Sequence, residues 1–526
     1  MTERYQTSYD ELPYVSQAFA QTHPDRLAVL AKLFGIVPPP LEHCRVLELG
    51  CASGGNLIPM AEQMPEASFL GVDLSARQVG DGQAMIQELG LSNVELKQMD
   101  IADIGPAMGQ FDYIIAHGVY SWVPEEVQGK ILTVCNENLA PNGVAYVSYN
   151  TNPGWRMRGM IRDMMLYHAA PFGETSVKVR QARALLDFLA QNVSTDNNPY
   201  GILLKQELEA LRDQDDSYLA HDHLEQVNEP IYFHQFAERA AQHGLQYLGE
   251  AEFHTMLASN FSPKVSQTLR MISSDIIRME QYMDFLRNRI FRQSLLVHRE
   301  APLNRNLDWR SVQGFYVASQ AQSTTSTPSD LHSPAVEQFR VPSGATLSTT
   351  NPIVKAAMTI LAERWPQAIL FSDLCTAARS RLGNQPSAPP VAAADAQALG
   401  TDLLQCYAGG VVELRLRAPR FVMAASNMPI ASPVARFLAE KGLRVTNLRH
   451  ERVNLDHFNR QVLRQLNGQR DRAALLEVLT QLVGQGELAI QREGQPVHET
   501  AAVREILTQA LNENLPKIAR AALLVA

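Results

Sequence analysis

Between residues 44 and 150 the chain alternates short, continuous apolar runs with longer amphipathic stretches, and this alternation constrains the fold more than any other feature. CRVLELG (44–50) reads as a buried strand, followed by a helix from about Asn56 to Gln63. ASFLGVD (67–73) is a second strand, and Ser75 to Leu89 a second helix. VELKQMD (94–100), FDYIIAH (111–117) and GVAYVSYN (143–150) continue the series. Repeated strand–helix–strand units with uninterrupted Val, Ile and Leu runs predict an α/β fold with a parallel sheet covered on both faces. Before it, a helical periodicity (Phe19, Leu27, Leu30, Leu33, Phe34) stops at Pro38-Pro39-Pro40, since a proline triplet cannot continue a helix.

The 526 residues exceed what one compact domain needs, so two or three domains are expected. Residues 156–225 read as mostly helical, with QNVSTDNNPYG (191–201) as a loop. Residues 233–253 read as helix, glycine, strand, and a long helix over 264–289 leads into a last strand, FRQSLLVHR (291–299). Two partitions stay open: one sheet domain running to about residue 300 with helical insertions, or a separate α-rich domain over 166–300. Residues 318–335, rich in Ser, Thr, Gln and Pro, form a linker or exposed loop. Beyond it, 352–364 and 475–486 are helices, 409–419 an alternating strand and 387–400 a low-complexity stretch. Short helices followed by strands there suggest winged-helix-like modules, up to two of them, in an α+β region.

Charge and cysteine usage narrow the function classes. The 46 basic and 55 acidic residues give a formal charge of −9, which disfavours a general nucleic-acid binder. Five cysteines without a CxxC pair suggest neither a disulfide framework nor a thiolate zinc site, and fit a reducing cytoplasm. Met1 to Asp10 is polar, and no uncharged apolar run nears the roughly 18 to 20 residues that span a bilayer, so no membrane insertion is expected.

Three coupled features carry the chemistry. VLELGCASGG (46–55) is a strand whose end meets small residues before a helix, so backbone can approach a ligand closely there. The following helix N-terminus favours a carboxylate-bearing ligand. Asp73 ends the next strand, where an acid can accept both hydroxyls of a ribose. Asp100-Ile101 ends the third strand, where an acidic group beside an apolar one can hold an adenine ring; a helix cap is the less favoured reading of Asp100.

The order E-L-G-C-A-S-G, G-V-D-L-S, Q-M-D-I-A-D resembles the class I S-adenosylmethionine-dependent methyltransferases, whose Rossmann-like sheet this implies. The family usually has Gly where this chain has Ala52. A nicotinamide-dependent dehydrogenase needs a fuller G-x-G-x-x-G. The resemblance implies S-adenosylmethionine held by Glu48, Gly50, Cys51, Ala52, Ser53, Gly54, Asn56, Asp73, Leu74, Asp100 and Ile101. More narrowly, residues 8–34, AHGVYSWVP (116–124), VSYNTNPGW (147–155) and 223–252 look like a bacterial subgroup with a methyltransferase regulatory domain, similar to rickettsial protein lysine methyltransferases. The implied partition is 1–165 for the N-terminal arm and cofactor core, 166–300 for a helical insertion or regulatory domain completing the fold, 301–344 partly linker, and 345–526 for an accessory region.

Lysine methylation needs a neutral amine aligned with the methyl in a water-poor site. Tyr120, Trp122, Tyr149 and Trp155 could build an aromatic channel, with His117 and Asn150 as polar orienters. Trp122 and Trp155 read alternatively as packing residues, and His117 as a satisfied strand-end histidine. Tyr5, Tyr9 and Tyr14 suggest either a lid over the cofactor or an inert arm. His221, His223, Glu225 and His234 carry metal-ligand types at a spacing that fits no familiar site, so a solvated or capping cluster is expected and no metal. Arg156 and Arg158 read as a helix surface or as contacts for an acidic substrate.

The expected function is protein lysine N-methylation on a protein partner. The alternatives are methylation of a small molecule or lipid-linked metabolite, and a non-catalytic cofactor-binding regulator. The oligomeric state stays open, a homodimer being one option.

Overall fold

The N-terminal apolar runs form one seven-stranded sheet: β1 (Arg45–Leu49), β2 (Ser68–Asp73), β3 (Val94–Gln98), β4 (Phe111–Ala116), β5 (Leu139–Asn150), β6 (Leu245–Glu250) and β7 (Phe291–His298). The protein is seen as a computed structural model that describes residues 8–325, 330–383, 389–492, 495–497 and 499–526. Strand order is β3-β2-β1-β4-β5-β7-β6; β1 to β5 are parallel, and β7 is antiparallel to β5 and β6. Strand order reverses between β1 and β4, and sheets of this kind bind ligands beyond the carboxyl ends of the strands at such a switch point.

The chain divides into two compact units. The first holds the sheet, with residues 30–57 and 66–305 and the N-terminal arm up to Ser16. Its main core joins Leu47, Leu49, Ile114, Ala116, Ala145 and Val147 of the strands to helices Glu125–Glu137 and Phe233–Gln242. Phe236 stacks on Tyr149 with ring centroids 4.1 Å apart. Each such ring removes on the order of 150–250 Å² from water, so this pair anchors the helix to the sheet.

Helices Trp155–Ala169, Thr175–Asn192, Pro199–Leu211 and Asp216–His223 lie between β5 and β6 and share their own core of Ile161, Met165, Val179, Leu186, Leu204 and Leu219. Because β6 and β7 return to the same sheet, the observed arrangement is one sheet carrying a helical insertion. A buried ion network locks this closure. Arg292 on β7 donates to Glu250, Glu280 and Asp284 at 2.8–2.9 Å, while its guanidinium lies 3.7 Å from the Phe233 ring centroid.

The second unit comprises residues 17–29, 58–65 and 306–526. It contains two small three-stranded antiparallel sheets and helices Pro352–Arg364, Phe371–Arg381 and Pro389–Ala408. Further along, helices Pro433–Lys441, His457–Gln465, Arg472–Gly484 and Thr500–Arg520 enclose a core that includes Leu463, Leu475, Leu507 and Leu511.

Several sequence expectations shift. β5 begins at Leu139, not 143: Leu139 pairs with Phe111, and the register shifts before Val144 pairs with Tyr113, which carries Pro141 and Gly143 across. The helix expected over 264–289 is two, Pro263–Ile272 and Ile276–Arg287, because the Asp275 side chain accepts the Arg278 amide and starts a new helix. Phe19 is extended, and the early helix is Pro24–Leu33. Part of the expected linker is strand: Gln322–Ser323 pairs with Glu337–Arg340, and residues 326–329 lie outside the described ones. The low-complexity stretch lies largely in helix Pro389–Ala408, since alanine, leucine and glutamine propagate a helix and proline is tolerated in its first turn. Within 409–419 only Glu413–Arg415 is strand, because the Leu416 amide turns away to the Asp25 carboxylate at 2.6 Å.

Candidate active site

At the carboxyl end of β1 the backbone turns through Gly50 (φ +73°), Ala52 (φ +49°) and Gly54 (φ +73°). A Cβ on Gly50 would lie 2.4 Å from Val119 Cγ2, so only glycine fits between β1 and the loop after β4. Ala52, where the resemblance called for Gly, sits in the left-handed region at a cost of about 1 kcal/mol. Asp73 at the end of β2 holds it there. Its Oδ2 accepts the Ala52 amide at 2.8 Å and its Oδ1 the Ser75 amide at 2.9 Å, and each oxygen keeps a second lone pair for a ligand hydroxyl.

Behind the loop, buried Glu48 accepts from Asn56 Nδ2 at 2.8 Å through Oε1, while its buried Oε2 has no protein partner. Burial, with the nearby Asp73 charge and against the Asn56 bond, pushes Glu48 up to about 8. Cys51 is buried under the same loop, and burial holds its thiol well above the usual range, so it is no nucleophile. Ser53 is half-buried on the loop, and Leu74 follows Asp73. Asp100 does cap a helical turn, accepting the Ala102 amide at 2.9 Å, beside half-buried Ile101. Bare backbone, a buried carboxylate oxygen in need of a partner and an acid at the end of β2 together fit a ligand that carries a cation and a diol.

The candidate catalytic residues separate. Tyr120 and Tyr149 are core: both are buried, with Tyr120 edge-on to Phe236 at 5.3 Å and the Tyr149 hydroxyl 3.0 Å from Ser294 Oγ. The expected four-ring channel thus loses both tyrosines; of the two tryptophans, which meet edge-to-face at 6.1 Å, Trp155 is buried and Trp122 half-buried. His117 Nδ1 lies 2.9 Å from the Tyr146 hydroxyl and 3.2 Å from Ser148 Oγ. Burial lowers its pKa to about 4, so the ring stays neutral and makes a poor proton acceptor near pH 7. Asn150 ends β5, its amide donating to Ser121 Oγ at 2.9 Å, and its buried Nδ2 has no protein partner.

Sequence reasoning missed Asn228. The segment containing it bridges Ser121 and Asn150, since Glu229 N donates to Ser121 O at 2.8 Å and Ile231 N to Asn150 O at 3.1 Å. Both amide atoms of Asn228 are buried without a protein partner. No local signal marks it, because its neighbours come from β5 and the loop after β4. Ser16 was missed too: its Oγ accepts the Gly55 amide at 2.7 Å.

The N-terminal arm makes specific contacts. Ser75 Oγ donates to Asp10 Oδ1 at 2.5 Å, His221 Nε2 donates to Leu12 O at 2.6 Å, and Tyr14 meets the His221 ring edge-on at 5.9 Å. Tyr5 lies outside the described residues. His221 and His223 are buried, which corrects the solvated reading. His223 bonds Glu207 at 3.0 Å, and Glu207 also takes Arg158 at 2.8 Å, so Arg158 is an internal partner rather than a free surface charge. Exposed His234 bonds Gln281 at 2.9 Å.

Comparison with known proteins shows the family. Family models match residues 46–143 (Methyltransferase domain), 215–298 (Predicted methyltransferase regulatory domain) and 427–523 (PKMT, C-terminal winged helix domain). An uncharacterised protein of Rickettsia prowazekii (strain Madrid E) is 38% identical over 523 residues, 98% of this chain and 93% of its own. PKMT2 from Rickettsia typhi superposes with a TM-score of 0.85 at 32% identity, over 98% of this chain and 100% of that one. The chain belongs to the PKMT family of class I methyltransferases. A second PKMT2 structure, in complex with AdoHcy, gives a TM-score of 0.85 at 33% identity. This PKMT-family enzyme is therefore an S-adenosylmethionine-dependent methyltransferase, with a Rossmann-like sheet and a C-terminal winged helix. No helix among its described residues is long and apolar enough to cross a membrane.

Proposed function

We propose that this PKMT-family member is a protein lysine N-methyltransferase. The observation that carries the reading is that the likeness to PKMT2 spans 98% of the chain, through the sheet, the helical insertion and the winged helix alike. Residues 50–56 would surround the methionine portion of S-adenosylmethionine, Asp73 and Leu74 the ribose, and Asp100 and Ile101 the adenine. When bound, the sulfonium supplies an electrophilic methyl with a neutral thioether as leaving group.

The chain's own residues then have two tasks. A lysine ammonium, ordinarily near pKa 10.4, must lose its proton before attack, and a dry aromatic setting favours the neutral amine. Half-buried Trp122, packed against Trp155 beyond the carboxyl end of β4, would furnish that setting, and an aromatic face there favours a methylated ammonium product. Asn228 Oδ1, buried without a protein partner, would accept an N–H of the amine and so aim its lone pair at the methyl, while Asn150 Nδ2 would donate to an acceptor elsewhere on the substrate. Neutral His117 holds the β4–β5 edge in place rather than removing the proton. A protein substrate and a cytoplasmic location complete the proposal.

The test incubates the full-length enzyme with radiolabelled cofactor and a bacterial lysate, then separates protein from small molecules. Label on lysine is the expected result; label confined to the small-molecule fraction, or none at all, would overturn it. Asn150→Ala and Asn228→Ala should each lower kcat by about 10²-fold while cofactor affinity stays within twofold or so, as loss of an orienting contact requires.

A further inference from the structure

The second unit contains a cavity of about 520 Å³, lined wholly by residues of the segments 17–29, 58–65 and 306–526. Its charged and polar lining includes His23, Asp25, Glu62, Arg415, Arg417 and Arg420. The two acids are already engaged. Asp25 accepts the Leu416 amide at 2.6 Å and faces Arg415 at 3.8 Å. Glu62 accepts from Ser432 Oγ at 2.7 Å and from the Val434 amide at 3.2 Å.

The donors are not. His23 is 5% exposed, and its Nδ1 accepts the Asp25 amide at 3.2 Å, which places the ring hydrogen on Nε2, a buried atom without a protein partner. Burial, the His450 ring and nearby arginines hold His23 well below its ordinary pKa, so it remains a neutral single donor. Arg415 is 3% exposed; its Nη2 reaches Glu413 at 3.3 Å, yet its buried Nε has no partner. Arg417 donates to Gln63 O at 2.9 Å, and Arg420 is exposed on the lining. A buried N–H left without an acceptor costs about 1–3 kcal/mol, so two on residues that line the same cavity call for an occupant that accepts.

Two lining acids offset two of the three arginines, leaving room for one negative charge rather than two. Phe421, Val422 and Leu448 supply an apolar wall for the rest of the occupant. We propose that this cavity binds a carboxylate borne on an apolar body, held by His23 Nε2 and the Arg415 guanidinium.

The experiment uses full-length protein and 4-fluorobenzoate, followed by fluorine NMR. Saturable binding is expected, weakened ~10-fold in Arg415→Met and ~3-fold in Arg420→Gln, an exposed position that tests the idea even if Arg415→Met does not fold. Displacement by a Leu-terminated peptide but not by its C-terminal amide would assign the carboxylate to a protein chain; displacement by hexanoate alone would assign it to a free small acid. Both outcomes support the site. Absence of saturable binding, an affinity unaltered in every folded variant, or inorganic phosphate outcompeting 4-fluorobenzoate would overturn it. Cofactor affinity, measured alongside, should not move in either variant, which separates this inference from the methyltransfer reading.

Discussion

At the scale of single residues, Glu48 shows how a motif position acquires its chemistry. Burial and Asp73 push it up to about 8, so near pH 7 it holds a proton while its Oε2 waits for a partner. A cationic ligand beside it favours the carboxylate, so cofactor binding should release a proton and tighten as pH rises from 6 towards 8. Calorimetry in two buffers of different ionisation heat measures that release, and Glu48→Gln should abolish it. Equal apparent enthalpies in both buffers for the wild type would rule the mechanism out. Ala52 illustrates the complementary point: the motif departure was visible in sequence, but its φ of +49° and its tether to Asp73 are properties of the folded loop.

Among the elements, the N-terminal arm gains most from the structure. Its tyrosines suggested a lid or an inert strand, with nothing in the sequence to choose between them. Folded, it reaches the Ser75 helix start through Asp10, the helical insertion through Leu12 and Tyr14, and the cofactor loop through Ser16. That placement supports a lid. Ser16→Ala removes an acceptor from the Gly55 amide, worth about 1 kcal/mol, so cofactor release should quicken roughly fivefold. Stopped-flow displacement of a fluorescent cofactor analogue reads the rate, and an unchanged rate would leave the arm without that role. The strands were more legible: β1, β2 and β4 lie within a residue or so of their apolar runs, because strands buried on both faces have no polar positions to blur the pattern. Helix 264–289 was misread as continuous because the side chain of Asp275 competes with the backbone locally.

For the whole molecule, the decisive feature of the first unit is its charged closure. Arg292 sits fully buried among Glu250, Glu280 and Asp284. Glu250 is held below its ordinary range, although burial pushes it up, because Arg289 and Arg292 flank it. Burial and Glu250 raise Glu280 from 4.5 to about 7 despite the arginines. A carboxyl raised on folding binds its proton more tightly in the native state, so it erodes stability as pH climbs from about 4.5 to about 7. Glu280→Gln removes that titration and can still accept from Arg292. Its melting temperature relative to wild type should therefore improve between pH 5 and pH 8, followed by calorimetry on the first unit's transition. A difference that is the same at both pH values would contradict the linkage.

Sequence alone determined the parallel strands β1 to β5, the α/β class and the class of reaction, since local periodicity and a contiguous loop encode them. Tertiary structure decided which candidate aromatics are core, for Tyr120 and Tyr149 pack against Phe236 while Trp122 stays half-buried against Trp155. It also brought in Asn228 and Ser16, and it assembled the cavity around His23 and Arg415 from segments nearly four hundred residues apart (23 to 415). Such groupings depend on where the chain returns, and no local pattern carries that information.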